Sequence, residues 1–280
     1  MPDPFLTVRV HELSVAPTLT GVCAGYEQGE WRASRLAAHL IGWLPDFALN
    51  HSEREGLGAP NAVELIARAA ETVYTSDKYQ RRGEPGELIL HAVLCQVFGT
   101  LPAISKIFFK DSANDTVKGF DAVHVVSNGD DLELWLGEVK FYADISRAIA
   151  DVVEELGDHM ERKFLRSEFA AITRKIDPTW PHADRLAKLL DDNTSLDDIF
   201  TRACIPVLLT YESDTIRAHD RVSQAFEAAF QSEALGHYWT FASKALPKEI
   251  AIHLILLPLH EKAVLMAEFD RRLKAAQALR

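Results

Sequence analysis

The sequence predicts an α/β fold with a mixed sheet flanked by helices. Three patterns support this fold class. Residues 121–126 and 132–141 alternate with the two-residue period of strands, and the turn formers between them predict a β-hairpin. The short apolar run 205–211 is typical of a buried strand. Helical periodicity before and after the hairpin gives the core element order αβββαβ.

The other elements follow from periodicity and from helix-start and turn signals. In chain order the prediction is a strand over 5–13, a helix over 31–44 ending at Pro45, a helix over 63–74, a helix over 87–98 with Pro85 in its first turn, a strand over 105–109, the hairpin, a long helix over 145–164 with Asp144 as N-cap, the buried strand, a helix over 221–246, a strand over 249–257 and a helix from Glu261.

The polar stretch 51–58 is the plausible domain boundary in this order. Residues 1–57 are therefore predicted to form an N-terminal strand and helix addition, and residues 58–280 the main domain. No internal repeat or low-complexity linker interrupts the chain. One compact unit is the simplest organisation.

The composition is that of an ordinary soluble protein. The chain has 280 residues, 48% hydrophobic and 25% charged, enough for one large domain with or without a small addition. It lacks the basic start and apolar core of a signal peptide, and no apolar stretch approaches the roughly 20 residues that span a bilayer. The scattered cysteines Cys23, Cys95 and Cys204 favour neither a disulfide framework nor a zinc knuckle. We expect a cytoplasmic protein with no membrane partner.

Two carboxylates and a lysine are predicted to converge on one face of the hairpin. If its loop has an even number of residues, Asp121 lies opposite Glu138 or two positions along, and their side chains share a face in either register. Directly opposed residues have Cβ atoms roughly 5 Å apart. Lys140 points to the same face about 7 Å further along the strand and reaches back with its long side chain.

This grouping favours metal-dependent phosphodiester hydrolysis. Close carboxylates repel each other, and a hard divalent cation relieves that repulsion while it offers coordination positions to a phosphate and a water. Asp121 and Glu138 would hold Mg²⁺ or Mn²⁺, with the Val139 carbonyl as a possible third ligand. Lys140 would orient the attacking water or neutralise charge developing on phosphorus.

A second Glu-x-Lys triplet in the chain serves as an internal control. Glu161, Arg162 and Lys163 lie in a segment of helical period, where residues two apart do not face each other. This triplet is interpreted as a solvated helix face. For the hairpin triplet, the corresponding alternative is a charged strand facing solvent.

The motifs Gly119-Phe120-Asp121 and Glu138-Val139-Lys140 resemble those of the PD-(D/E)xK nuclease superfamily. The resemblance implies a restriction-endonuclease-like core, in which a preceding core helix often carries another acid. Glu87 fits that position and would join the catalytic and metal-binding residues. Its alternative is a carboxylate that merely complements the helix dipole.

The wider arrangement, from about Val63 to the C-terminus, is similar to the nuclease subunits of the Hachiman anti-phage defence system. That resemblance implies a bacterial effector nuclease that acts on DNA and is restrained by a superfamily-two helicase partner. Exonuclease-like members of the superfamily often carry a glutamine-plus-tyrosine motif after the Glu-x-Lys strand, and residues 144–164 contain no Gln. An endonuclease is therefore favoured. No phosphate-cradling loop is present, so any ATP dependence would come from the partner.

The net charge of −11 is unfavourable for strong DNA binding by the chain alone, because nonspecific affinity comes from neutralising phosphates. Local basic residues or a partner must compensate. Lys78, Arg81 and Arg82 precede the Glu87 helix and are the candidate phosphate contacts; their alternative is a solubilising loop.

The histidines do not indicate zinc. His91, one turn after Glu87, is interpreted as a core residue with a possible supporting role at the site, and His124 should face away from Asp121. The others show no paired spacing with Cys or Asp, so oxygen-ligated Mg²⁺ or Mn²⁺ is favoured.

Three functions remain open on these grounds. The first is a magnesium-dependent DNA endonuclease of a defence complex. The second is a catalytically silent subunit that binds DNA or the helicase. The third is another metal-dependent phosphoesterase, acting on RNA or a small molecule. Since Asp121 and Glu138 should repel without metal, Glu138→Ala is expected not to lower the metal-free melting temperature.

Overall fold

The computed structural model describes residues 2–54, 58, 61–73, 83–105, 119–129 and 131–279, with the backbone alone at residue 105. The strands are β1 (Thr7–Glu12), β2 (Thr18–Cys23), β3 (Tyr26–Glu27), β4 (Glu30–Trp31), β5 (Leu101–Ser105), β6 (Ala122–Asn128), β7 (Asp131–Phe141), β8 (Ala203–Glu212) and β9 (Ala251–Leu259). The helices are α1 (Ala33–Ala48), α2 (His51–Arg54), α3 (Ala62–Val73), α4 (Glu84–Phe98), α5 (Ile145–His159), α6 (Arg162–Lys175), α7 (Ala183–Leu189), α8 (Leu196–Phe200), α9 (Asp214–Ala218), α10 (Gln224–Ala242) and α11 (Lys262–Gln277).

A seven-stranded mixed sheet organises the fold, in the order β1-β2-β9-β8-β7-β6-β5. The four strands β2, β9, β8 and β7 run parallel, and antiparallel pairs close both edges. The predicted α/β class and the order αβββαβ, here α4-β5-β6-β7-α5-β8, are confirmed. Among the described helices, none is long and apolar enough to cross a membrane.

Each face of this sheet buries a separate hydrophobic core, because alternate residues of a strand point to opposite sides. Trp135, Val139 and Phe141 of β7 pack in the core that contains α1, α3, α4 and α11. We call this side the α4 face. Leu134 and Leu136 pack in the core that contains α5, α6 and α10. We call this side the α5 face.

The N-terminal segment contributes to the same sheet. β2, which the sequence analysis did not predict, pairs in parallel with β9 through Thr18↔His253 to Gly21↔Leu256, and β1 pairs antiparallel with β2. Its pattern, Thr-Leu-Thr-Gly-Val-Cys, mixes small polar and apolar residues without regular alternation, which explains why it was missed. The boundary at residue 57 stays a prediction.

The helix predicted to end at Pro45 continues to Ala48, so that prediction is wrong. Proline removes one backbone N–H donor from a helix, and this loss normally ends or kinks it. Here Trp43, Leu44 and Phe47 are each at most 1% exposed, and the backbone N–H of Leu49 still donates to the Pro45 carbonyl at 3.3 Å. Burial on both sides of the proline therefore outweighs the lost hydrogen bond.

Two further predicted boundaries change. A strand, β5, does precede the hairpin, but it covers Leu101–Ser105 and begins two residues after Gly99, the C-cap of α4, which has φ +65°. Of the strand predicted over 105–109, only residue 105 belongs to β5, and residues 106–109 lie outside the described ranges. The single helix predicted over 145–164 is two helices, since α5 ends at His159 and Glu161 is the N-cap of α6. Both helices keep their apolar side on the α5 face, so the predicted periodicity continues across the break.

Candidate active site

The hairpin turn fixes the register that brings the site residues together. β6 and β7 pair from Ala122↔Gly137 to Asn128↔Asp131, which leaves a two-residue loop of positions 129 and 130. Gly129 has φ +60°, a left-handed conformation that glycine adopts without strain. The even loop length that the site prediction needed is therefore present.

Asp121 lies one step beyond the last β6–β7 pair, which places it opposite Glu138. Its backbone N–H donates to the Gly137 carbonyl at 2.8 Å. Its carboxylate Oδ2 accepts a hydrogen bond from the backbone N–H of Val139, also at 2.8 Å. The Asp121 carboxylate is thus fastened to the residue that separates Glu138 from Lys140.

The backbone N–H and C=O groups of Val139 point toward the start of β6, where Asp121 lies. In an antiparallel pair, alternate residues of a strand turn both their N–H and C=O groups to the same neighbour. Gly137 turns its carbonyl to Asp121, and Val139, two residues later, turns its N–H to the same side. The Val139 carbonyl consequently points beyond the last β6–β7 pair, where the Asp121 carboxylate lies.

Glu138 is fully buried and meets a histidine of α5. His159 Nδ1 lies 2.8 Å from Glu138 Oε1, and the His159 side chain is 6% exposed. The imidazole ring stacks on Phe164, with 4.4 Å between ring centroids, and contacts the ring of Phe120 edge-on at 4.8 Å. This aromatic packing fixes the ring that approaches the Glu138 carboxylate.

Lys140 follows on the same face and pairs with a second acid of α5. Its ammonium group forms an ion pair with Glu155, four residues before His159 and therefore on the same side of the helix. The Lys140 side chain is 14% exposed and that of Glu155 33%, so the pair lies where the buried site opens to solvent. The two α5 residues contact the two charged residues of the Glu-x-Lys strand.

A third acid reaches the loop before β6 from α6. Glu168 Oε1 accepts a hydrogen bond from the backbone N–H of Phe120 at 3.2 Å. A Cβ atom at position 119 would lie only 2.6 Å from Glu168 Oε1, so this contact requires the glycine of the Gly-Phe-Asp motif. α6 therefore helps to position Asp121, the next residue.

Glu87 occupies a different layer from the hairpin acids. It is buried in the first turn of α4, where Pro85 also lies as predicted. Gly86 beside it packs so closely on β7 that an added Cβ would lie 2.7 Å from the Cβ of Phe141, which belongs to the α4 face. Glu138 and Lys140 interact with α5 on the other face, so a shared site would require Glu87 to reach around the strand end. Its role as a further acid stays a prediction.

The structure tests the prediction for the control triplet but not the one for the candidate phosphate contacts. Lys78, Arg81 and Arg82, the candidate phosphate contacts, lie outside the described ranges. The control triplet Glu161, Arg162 and Lys163 is exposed at the start of α6, which confirms its interpretation as a solvated helix surface.

Sequence reasoning missed Glu155, His159 and Glu168, all of which contact the predicted site. A signal for two of them is present: Glu155 and His159 are four residues apart on the helix that follows the Glu-x-Lys strand. They flank Leu156 on the apolar side of that helix, which is buried. A charged pair along the edge of such a stripe is directed to the sheet.

The sequence analysis interpreted His91 and His124 singly and did not consider the spacing of His91 to Cys95. His91 and Cys95 are four apart on α4, and His124 of β6 approaches them on the α4 face, away from Asp121 as predicted. The potential ligand atoms of the three side chains all lie within 4.8 Å of one another. The rings of His91 and His124 meet edge-on, with 5.1 Å between centroids. We call these residues the His-Cys cluster.

Comparison with known proteins identifies the family of the chain. A family model described as HamA matches residues 3–273, nearly the whole chain and every residue of the hairpin site. A search among curated proteins finds no significant match. The chain therefore belongs to the HamA family, a component of the Hachiman anti-phage defence system.

Proposed function

We propose that the chain is a metal-dependent deoxyribonuclease, the effector of its defence complex, held in check by a superfamily-two helicase partner. The observation that carries this proposal is the hydrogen bond between the Asp121 carboxylate and the Val139 N–H. It brings Asp121 beside Glu138 at a strand end, with Lys140 next on the same side. That is the arrangement that the PD-(D/E)xK resemblance implies.

The donor atoms fit Mg²⁺ or Mn²⁺. Asp121 and Glu138 supply carboxylate oxygens, and Val139 directs its carbonyl oxygen to the same strand end. Hard cations of this kind prefer oxygen ligands over nitrogen and sulfur. When bound, such a cation would stabilise the charge that develops on phosphorus.

The protein residues around these donors have distinct roles in this proposal. Lys140 orients the attacking water and stabilises negative charge through its ammonium group, and Glu155 holds that group in place. His159 fixes the rotamer of Glu138 through its 2.8 Å contact. Glu168 and the Phe120 N–H fix the chain just before Asp121.

Cleavage of plasmid DNA with Mg²⁺, Mn²⁺ or EDTA tests the proposal, for the chain alone and with its helicase. We expect metal-dependent cutting that the Glu138→Gln/Lys140→Ala double variant loses. The matched control is Glu161→Gln/Lys163→Ala, which alters the exposed triplet of the same residue types. Equal loss in both double variants, or cutting in EDTA, would contradict the assignment of the hairpin site.

A second candidate is the catalytically silent binding subunit. It is supported by the engagement of both Glu138 and Lys140 with α5, which can also be read as a structural ion-pair network, and by the net charge of −11. Phage protection in cells separates the two functions. A silent subunit would still protect with Glu138→Gln/Lys140→Ala, whereas a nuclease would not.

A further inference from the structure

We propose that the His-Cys cluster binds a Zn²⁺ ion between α4 and β6. This site is separate from the hairpin site and uses softer donors. Two imidazole nitrogens and a thiolate select zinc and other transition metals over Mg²⁺, which prefers oxygen. The inference depends on the cluster alone and holds whether or not the chain cuts DNA.

The backbone brings the three ligands together from two elements. His91 and Cys95 are four residues apart on α4 and project from the same side of the helix. His124 projects from β6 beneath them. All three are buried, with 1%, 5% and 1% of their surface exposed respectively. Two side chains on one helix and a third on an adjoining strand can therefore reach the same ion.

The distances are close to those of a bound ion. Zinc lies about 2.0 to 2.3 Å from nitrogen and sulfur ligands, so tetrahedral ligand atoms are about 3.3 to 3.6 Å apart. In the cluster these atoms are within 4.8 Å of one another, and the His91 Nε2 and Cys95 Sγ atoms are 4.0 Å apart. Small side-chain rotations close the remaining gap.

An outer partner already holds the His124 ring, as is usual around metal-binding histidines. Thr100 Oγ1 lies 2.7 Å from His124 Nδ1, which leaves His124 Nε2 as the nitrogen for the ion. Asp46 Oδ2 lies 3.1 Å from His91 Nε2, and Arg54 pairs with the same carboxylate. Asp46 is thus the nearest carboxylate for a fourth ligand position.

One ring nitrogen of the cluster has an apolar surrounding. Within the described part of the chain, His91 Nδ1 is buried and has no hydrogen-bond partner. Trp43 and Phe47 pack edge-on against the His91 ring, each with 5.6 Å between centroids, and offer it no polar contact. Leaving a buried polar atom unpaired costs about 1 to 3 kcal/mol. This nitrogen is not the Nε2 atom that faces Cys95 and Asp46, so the ligand distances and not this unpaired atom carry the proposal.

A small cavity provides access to the cluster. It has a volume of about 40 Å³, and its lining includes His91, Asp46, Asn50, Arg54 and Asp177. This exceeds the roughly 10 to 15 Å³ that one water needs, so a water or an entering ion fits. An ion in the cluster would fasten α4, which carries Glu87, to β6, which follows Asp121.

Metal analysis of the full-length purified chain is the direct test. We expect about one zinc per chain after dialysis against a trace-metal-free buffer, released when the protein is unfolded. Replacement by Co²⁺ should give the thiolate-to-cobalt charge-transfer band that requires a cysteine ligand. Cys95→Ser should abolish this band. The matched control is Cys204→Ser, since Cys204 is a buried cysteine in the same core and, among the described residues, belongs to no group of three potential metal ligands.

Failure of Cys95→Ser to fold would not leave the question open, because the wild-type spectrum decides it. A Co²⁺ thiolate band in wild type that His124→Gln also removes supports the site. Absence of both the band and stoichiometric zinc in folded wild-type protein overturns it. A band that persists in Cys95→Ser and disappears in Cys204→Ser would also overturn it. Plasmid cutting in Mg²⁺ is scored separately, so failure of this site and failure of the nuclease proposal are distinguishable.

Discussion

The two faces of one hairpin carry opposite kinds of polar chemistry. On the α5 face, Glu138 and Lys140 meet the ionisable groups of His159 and Glu155. On the α4 face, His124 meets a second imidazole and a thiol. Only strand alternation separates them, since neighbouring residues of β6 and β7 point to opposite sides. The difference shows that one pair of strands can present hard oxygen donors and soft nitrogen and sulfur donors without mixing them.

The faces also differ in the cost of their buried groups. Charged groups are expensive to bury unless each has a partner, and the α5 face supplies one for each member of the Glu-x-Lys motif. Neutral imidazoles are less expensive, and burial lowers the pKa of His124 well below its usual value. The α5 face is therefore suited to charge stabilisation and the α4 face to packing and soft-metal binding.

The largest expected effect is a loss of DNA cleavage when one acid of the α5 face is replaced. Asp121→Asn keeps the size of the side chain and can still accept from the Val139 N–H, but it removes the negative charge. We expect DNA cleavage to fall by about 100- to 1,000-fold, as for other losses of a group that stabilises charge. The measurement is the initial rate of plasmid nicking in Mg²⁺. The exposed Asp158→Asn is the control, and comparable rates in the two variants would remove Asp121 from the site.

The second effect concerns stability without metal. Repulsion between Asp121 and Glu138 predicts that Glu138→Ala leaves the melting temperature unchanged, but the structure adds His159, 2.8 Å from Glu138. Removing one partner of a buried polar contact leaves the other unsatisfied, which costs about 1 to 3 kcal/mol. We therefore expect Glu138→Ala to lower the melting temperature in EDTA by several degrees. An unchanged or higher value would mean that carboxylate repulsion dominates.

The third effect is a pH dependence of stability that arises from a histidine on the α4 face. Burial lowers the pKa of His253 to about 4, and Thr18 and Thr20 hydrogen-bond its ring. Since the unfolded chain takes up this proton near pH 6.5, the stability that His253 contributes is present above that pH. It is lost as the pH falls to about 4 and amounts to at most about 3 kcal/mol.

Urea unfolding between pH 4 and 7 measures this loss. His253→Gln should flatten the acid limb of the stability curve, while His51→Gln, a change near the surface, should leave it as in wild type. An acid limb of equal slope in His253→Gln would assign the loss to other groups.

The smallest expected effect concerns the solvent-facing end of the site. Glu155→Gln removes the partner of Lys140, but the pair is partly exposed, so we expect a stability change of at most about 1 kcal/mol. Cleavage should slow more noticeably, by about 10-fold, because outer partners position the reacting groups. The exposed Glu154→Gln on the same helix is the control. A stability loss without any kinetic loss would make Glu155 purely structural.

Local patterns were sufficient to predict the hairpin and its acids. The period of β6 and β7 and the turn around Gly129 are encoded within about twenty residues, so Asp121, Glu138 and Lys140 could be brought together from sequence. Contacts that depend on how the helices pack on the sheet could not be predicted from local patterns. Nothing in the order of residues specifies how far α5 or α6 slides along the sheet, and this decides whether Glu155 and Glu168 reach the site.

The same limit explains the errors elsewhere. His91 and Cys95 were visible as a spaced pair on one helix, but His124 is 33 positions from His91 and joins them only through packing of α4 on β6. Likewise Pro45 is a helix terminator by local rules, and burial of its neighbours overrides those rules.

The parallel pairing of β2 with β9 also limits when the sheet can form during synthesis. Residues 18–21 find their neighbours among residues 253–256, so the sheet stays incomplete until nearly all of this sequence has been translated. Contacts so distant along the chain form slowly. During synthesis β2 therefore stays without its partner strand β9, and the sheet that carries the hairpin site would be completed only late in translation.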